Sequence, residues 1–381
     1  MKATNKARMA IVAVTAATLL GATTVSAPAA ETAAQIARTG LAELAKGVYS
    51  TGPNGEKATA ASSLTFTKAE LTKLKGMKAT AAIAFHLTSD WTSGQQAGLK
   101  KRFTELGITI VGITQADFKA DVQVSQIETL MAKKPNILVS IPVDGQATSA
   151  AYKAAAAAGA KIVFMDNTAA GMTAGKDYVS VVSADNYANG AASAYILGRH
   201  LKGKGTIATI HHAADFWVTK QRWNGFKETI TKKFPGIKIV EDQGISGPDF
   251  AGDAQAAATA ILTKNPKISA IWAVWDTPAE GVLAALRAAG NTTTVVATQD
   301  LGANVAISLA KGGPVIGLGA QRPYDAGVTE ANLAAYALLG KTAPTYIAMP
   351  ALAVDKAGVL RAWKTVYSAP APEALVSSFK K

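Results

Sequence analysis

The chain has 381 residues, 49% of them apolar and 17% charged, with a formal net charge of +13 and no cysteine. That balance excludes a disordered chain, and the missing thiols exclude disulfides and a lipidated N-terminal cysteine. Lys and Arg are scattered with no run of five or six, so the positive excess reads as a solvated surface rather than a nucleic-acid footprint.

Lys2, Lys6 and Arg8 precede an apolar run from Met9 to Leu20, and Ala27 and Ala29 follow at signal-peptidase spacing. A basic start, a short apolar stretch and an A-x-A site predict a secretory signal over 1–30, cut after Ala29 or Ala30. The run is shorter than the roughly 20 residues that cross a bilayer. The expectation is a free protein exported to the periplasm. What remains, about 350 residues, exceeds the size at which one hydrophobic core stops growing, so two lobes are expected.

Residues 31–77 are rich in Ala, Thr, Gly and Lys, with helical spacing over 32–47 and 67–75 and a Gly/Pro/Asn loop at 52–55. This region is expected to be an extension packed on the first lobe. Apolar, β-branched runs then recur at 81–85, 108–113, 137–141, 161–165, 179–182, 206–210, 237–240, 270–274, 294–298 and 315–318. Helical spacing fills most gaps, at 94–106, 121–133, 146–158, 186–201, 217–233, 251–263, 278–289 and 323–339. Such alternation predicts parallel sheets with helices on both faces. Ten or more strands are too many for one sheet, so two are expected.

Open parallel sheets bind ligands beyond the carboxyl ends of their strands. The first run leads through His86 to Ser89, Asp90 and Trp91, and the run 161–165 leads to Asp166 and Asn167. The run 206–210 leads to His211 and His212, then Phe216, Trp217 and Arg222, and Phe250 lies in a Gly/Pro-bounded loop after 237–240. Trp275 with Asp276, Gln299 with Asp300, and Gln321 with Arg322 close the next three. A lone Asp at such a point is more often a helix cap, as Asp185 and Asp276 can be. Trp272, in mid-strand, reads as core. Carboxylates, amides and aromatics recurring together at six strand ends favour a site instead. A hydroxyl-rich ring needs both kinds of group: planar donors and acceptors for its hydroxyls, and flat faces for its C–H surface.

These residues resemble the type I periplasmic binding proteins of ABC transporters, in particular the ribose-binding group, over about 78–355. The resemblance is carried by S-D-W at 89–91, D-N at 166–167, R-W-N-G-F at 222–226, D-F at 249–250, W-D at 275–276, Q-D at 299–300 and A-Q-R-P at 320–323. It implies an α/β fold of two Rossmann-like lobes with parallel sheets, joined by a three-stranded hinge. The first lobe would hold 78–184 and 322–354, and the second 185–321 and 355–381. It also implies a sugar ring held between the first-loop aromatic and Phe250. Asp166, Asn167, Arg222, Asp300 and Gln321 would bond its hydroxyls. The implied partners are a small solute and an ABC permease, with the protein working as a monomer without cofactor or metal. Asn167 stands where the family often has Arg, Trp275 where it often has Asn, and the first loop offers one aromatic rather than two. Fewer charged donors and more indole imply a ligand less polar than a plain pentose, or one with a larger flat face.

An exported hydrolase would need a nucleophile elbow or a metal motif, and neither G-x-S-x-G nor H-E-x-x-H occurs. Asp90, Asp166 and Asp300 leave a glycosidase-like acid–base pair open. His211 and His212, adjacent on a strand, point apart and do not form a joint ligand pair. A nicotinamide enzyme lacks its G-x-G-x-x-G, and a sugar-responsive repressor would need an N-terminal helix-turn-helix. A periplasmic sensor presenting its solute to a receptor would have the same lobes.

Overall fold

The structure is a computed structural model that describes residues 31–379. The expected signal over 1–30 lies outside the described residues. From Thr32 onward the chain forms one compact unit. It opens with α1 (Ala33–Leu44) and α2 (Lys68–Met77), each begun by a reciprocal capping box, Thr32 with Gln35 and Thr67 with Glu70. The first α/β half runs β1 (Thr80–Phe85), α3 (Asp90–Leu106), β2 (Thr109–Gln115), α4 (Ala120–Met131), β3 (Ile137–Ser140), α5 (Ser149–Ala157), β4 (Lys161–Met165) and β5 (Ser180–Ala184). The second repeats the pattern with α6 (Asn186–His200), β6 (Lys204–His212), α7 (Trp217–Lys233), β7 (Gly236–Ile245), α8 (Phe250–Lys264), β8 (Ala270–Ala273), α9 (Asp276–Ala288), β9 (Val295–Gln299), α10 (Ala303–Lys311) and β10 (Val315–Ala320). The chain returns through α11 (Pro323–Leu338) and β11 (Tyr346–Met349), then ends with β12 (Leu352–Val354), α12 (Val359–Tyr367) and α13 (Glu373–Phe379).

Two six-stranded sheets result, ordered β11-β5-β4-β3-β1-β2 and β12-β10-β9-β8-β6-β7. Every pairing is parallel except β10 with β12. The near-continuous apolar runs follow from burial on both faces. Ile137, Val139, Val163 and Met165 enter one core of the first lobe, while Leu138, Ile162 and Phe164 enter the core behind it. The second sheet divides likewise, with Ile271 and Ala273 on one side and Trp272 on the other. Trp272 is fully buried and stacks on Phe226 at 4.7 Å, as its mid-strand position predicts.

The chain passes between the lobes three times, from β5 into α6, from β10 into α11, and from β11 to β12. Two expectations are corrected. Leu352–Val354, assigned to the first lobe, pair with β10 of the second sheet, so the last passage comes a few residues earlier. The extension does not pack on the first lobe alone. Its α1 buries Ala37 and Leu44 in the core that also holds Ala188, Tyr195 and Trp272, on the second lobe. The following segment crosses the first passage: Tyr49 N and Ser50 N donate to the Asp185 carboxylate at 2.6 and 2.9 Å, and Ser50 Oγ donates to it at 2.9 Å. Thr59 N then bonds Tyr346 O at 3.0 Å, and Leu64 and Leu74 enter a first-lobe core. Residues 31–77 are a strap across both lobes.

Elements outside the sequence reading are short: β11 has 4 residues, β12 has 3, α10 and α12 have 9 each, and α13 has 7. Each is shorter than the window of about 11–18 residues over which periodicity is legible.

Asp185 is fully buried, caps α6 through Ala188 N, and also satisfies the strap. Replacing it by Ala removes a cap, about 1 kcal/mol, and leaves strap amides unpaired, about 1–3 kcal/mol more. Asp185→Ala is therefore expected to lose about 2–4 kcal/mol in urea denaturation. A loss below about 1 kcal/mol would show that the strap contact does not hold.

Candidate functional site

The carboxyl ends of both sheets face one cleft. Asp166 follows β4 and Asp300 follows β9, the fourth strand of each half, and both adopt left-handed backbone, with φ of 52° and 61°. Non-glycine residues held there carry strain that the surrounding structure must maintain, a pattern concentrated at functional sites. Asp166 accepts from Ser183 Oγ at 2.6 Å and from Gln321 Nε2 at 3.4 Å. Gln321 in turn accepts from Trp91 Nε1 at 2.9 Å, a bond from the first turn of α3 to the passage into α11.

Arg222 lies on α7 and is 4% exposed. Its Nη1 donates to Asp300 Oδ2 at 2.8 Å and its Nε to Asn186 Oδ1 at 2.9 Å. The position depends on close packing of α6 on α7. A Cβ at Gly190 would meet the Arg222 carbonyl at 2.0 Å, and one at Gly225 the Tyr187 carbonyl at 2.0 Å. Asn186 donates to Ser183 Oγ at 2.9 Å, which closes a polar chain from Trp91 to Asp300. Asp300 Oδ1 is buried without a hydrogen-bond partner; burial raises the pKa of this carboxyl, and Arg222 and the nearby Gln321 backbone N–H oppose the rise.

Aromatic rings also line the cavity. Phe118 stands edge-on to His86 at 5.0 Å and to Phe250 at 5.0 Å, so a loop of the first lobe touches the second. Asp117 and Phe118 both have positive φ, 47° and 56°. His212 stacks on Phe216 at 5.0 Å and meets Trp275 edge-on at 5.8 Å.

The cavity is about 100 Å³. That space takes several water-sized groups, the scale of a small ring. Of the expected residues, Ser89, Trp91, Asp166, Asn167, Phe216, Arg222, Trp275, Asp276, Asp300 and Gln321 line it together. Three expected residues stand off the wall. Asp90 turns its carboxylate to Ala303 N at 2.7 Å, a contact between the lobes. Trp217, one residue on from Phe216, rotates away to meet Tyr346 at 5.7 Å. Phe250 is 4% exposed, shielded by Phe118 and by Trp275 at 4.9 Å.

His86, Phe118, His212, Thr219 and Thr277 line the cavity as well and were not among the expected site residues. His86 and His212 directly follow or end apolar runs and could have been taken on that signal. Phe118 carries none. His211 faces away from His212, 2.9 Å from Asp242 and stacked on Trp223 at 4.9 Å, as strand alternation predicts. No three His, Cys, Asp or Glu side chains gather as metal ligands among the described residues.

Burial dominates the electrostatics. It pushes Asp166 up to about 6, against the pull of Arg222 and Ser183. It pushes Asp276 up to about 8, with the charge of Asp300 adding to the effect, although Asp276 keeps part of its surface open to the cavity. Burial lowers His86 to about 3 and His212 to about 4, so both are neutral imidazoles at pH 7, each with one donor and one acceptor.

Residues 81–342 match the family of periplasmic binding protein domains. The D-allose-binding periplasmic protein of Escherichia coli is 33% identical over 161 residues, which is 42% of this chain and 51% of that protein. The chain thus spans about half the length of that relative. The D-apiose import binding protein of Actinobacillus succinogenes is 27% identical over 60% of this chain and 71% of its own length. A crystal structure of an ABC transporter solute binding protein from Agrobacterium vitis, bound with alpha-D-tagatopyranose, superposes with a TM-score of 0.70 at 24% identity, covering 77% of this chain and 100% of the other.

The Asp276 shift has a stability consequence. A carboxyl whose folded pKa is raised keeps its proton in the native state while the unfolded chain releases it, so its contribution is complete below the usual carboxylate range and is lost as pH rises toward 8. Unliganded Asp276→Asn should therefore lose less stability than the parent between pH 5 and pH 8 in urea denaturation. Parallel pH profiles would contradict the burial of this carboxyl.

Proposed function

The chain belongs to the periplasmic binding protein domain family, and from that premise we propose that it captures a small polyhydroxylated solute, a sugar, polyol or cyclitol, between its two lobes and delivers it to an ABC permease. The observation that carries this reading is a cavity lined by both lobes, where a polar chain from Trp91 to Asp300 meets the aromatic rings of Phe118, Phe216 and Trp275. Two relatives are named for allose and apiose, which are solutes of this chemistry.

The residues divide the work. Asp166, Asn167, Arg222, Asp300 and Gln321 offer fixed acceptors and donors to hydroxyls, whose desolvation would otherwise be uncompensated. Trp91 and Trp275 cover a C–H face, and the neutral imidazoles of His86 and His212 serve a hydroxyl in either role. Trp91 to Gln321, Asp90 to Ala303 and Phe118 to Phe250 all bridge the lobes and belong to the closed state. A solute that touches both lobes favours that state over an open one, because only there does it gain both sets of contacts. The permease reads the closed form. The protein acts as a monomer outside the inner membrane, exported by the signal expected over 1–30.

A thermal-shift panel of sugars, polyols and cyclitols should contain a compound that raises the melting temperature, since binding to the folded state alone stabilises it. For that compound Trp91→Ala and Asp300→Asn should each weaken binding more than tenfold by calorimetry, about 1.4 kcal/mol. Unchanged affinity in both variants, with folding verified by circular dichroism, would remove this cleft as the binding site.

A further inference from the structure

The charge of the cleft does not balance. Among the described residues, Asp166, Asp276 and Asp300 line the cavity against one guanidinium, Arg222, and no lysine stands on the wall. Arg222 is already committed to Asp300 at 2.8 Å and to Asn186 at 2.9 Å. Asp300 is 8% exposed, yet its Oδ1 lacks a partner. Asp276 receives one hydrogen bond among the described residues, from Thr277 N to Oδ1 at 2.9 Å, which leaves Oδ2 without one. Asp90 and Glu280 add further negative potential at Asp276. The histidines on the wall are neutral and offset none of it.

A buried carboxyl in this situation either keeps a proton or meets a cation. A neutral hydroxyl donates one hydrogen bond and cancels no charge. A protonated amine donates up to three, to oxygens that are acceptors only when ionised, and cancels the charge as well. The rings of Trp91, Trp275, Phe118 and Phe216 on the lining suit the same group, because ring quadrupoles attract cations and do so more strongly where water is excluded. A carboxylate or phosphate on the solute would face three acids and no free cation.

We infer that the cleft selects an aminated member of its solute class, an amino sugar or aminocyclitol, over the hydroxyl counterpart, and rejects the acidic counterpart. This rests on the reading of the cleft as a sugar-type binding site. The selection acts on the charge of one substituent, not on stereochemistry around the ring.

The test is calorimetry on the mature protein at pH 7 with matched sets: glucosamine, glucose and glucuronate; galactosamine, galactose and galacturonate; an aminocyclitol and inositol. In at least one set the amine should bind more than tenfold tighter than its hydroxyl twin, and the acid should not bind. Repeating the titration in buffers of different ionisation enthalpy should show protons released on amine binding, as the carboxyls that hold them are ionised by the incoming charge. Asp276→Asn should shrink the amine-to-hydroxyl ratio; should that variant fail to fold, proton release by the parent protein still decides. A neutral sugar that binds as tightly as its amine twin in every set overturns the charge selection and leaves the solute-binding reading standing. Failure of every compound overturns both.

Discussion

A buried chain of hydrogen bonds runs from the Trp91 indole through Gln321, Asp166, Ser183, Asn186 and Arg222 to Asp300, and it crosses from one lobe to the other. Such a chain is tolerated in a low-dielectric interior only when its members satisfy one another, since each orphaned polar group costs its full desolvation. Along its length the partners are supplied by the protein itself, and the exception, Asp300 Oδ1, belongs to a residue that lines the cavity. The rest of the site is arranged around that constraint. The glycine contacts between α6 and α7 bring Arg222 within reach of Asn186 and Asp300. The left-handed turns after β4 and β9 bring the two aspartates to it from opposite sides.

The two halves use one strand order, and each delivers a carboxylate after its fourth strand. They differ in what surrounds it. The first lobe contributes Trp91 from a helix start and Phe118 from a strained loop, while the second contributes His212, Phe216 and Trp275. A shared scaffold therefore fixes where the ligand lies, and loop identity fixes which faces and charges it meets. The strap adds a third constraint. It holds Asp185 at the first passage and then bonds the edge strand β11, so any movement of the lobes acts against these contacts as well as those in the cleft.

Much of this was legible before any coordinates. Parallel strands are buried on both faces, so their residues form unbroken apolar runs, and the residue types just beyond each run mark the cleft. Asp166, Asn167, Asp300 and Gln321 were accessible on that reasoning alone. Trp217 opens α7 and turns to Tyr346, whereas Phe216, the extended residue just before the helix, stays on the cavity. Phe250 was misplaced because Phe118 stands in front of it, and nothing in a run of Ala, Asp, Phe and Lys signals two successive left-handed residues. Asp90 was given to the ligand, whereas the start of α10 takes it.

What the sequence determined by itself is the alternation of strand and helix, the division into two sheets, and the kind of chemistry waiting at the strand ends, because these follow from periodicities shorter than one element. What the tertiary structure decided is which of those side chains share a wall, that the extension spans both lobes, and how the charges add up. Those depend on residues such as Trp91 and Gln321, or Ser50 and Asp185, more than a hundred positions apart. Contacts of that range are set by how whole layers pack, and no local pattern encodes them.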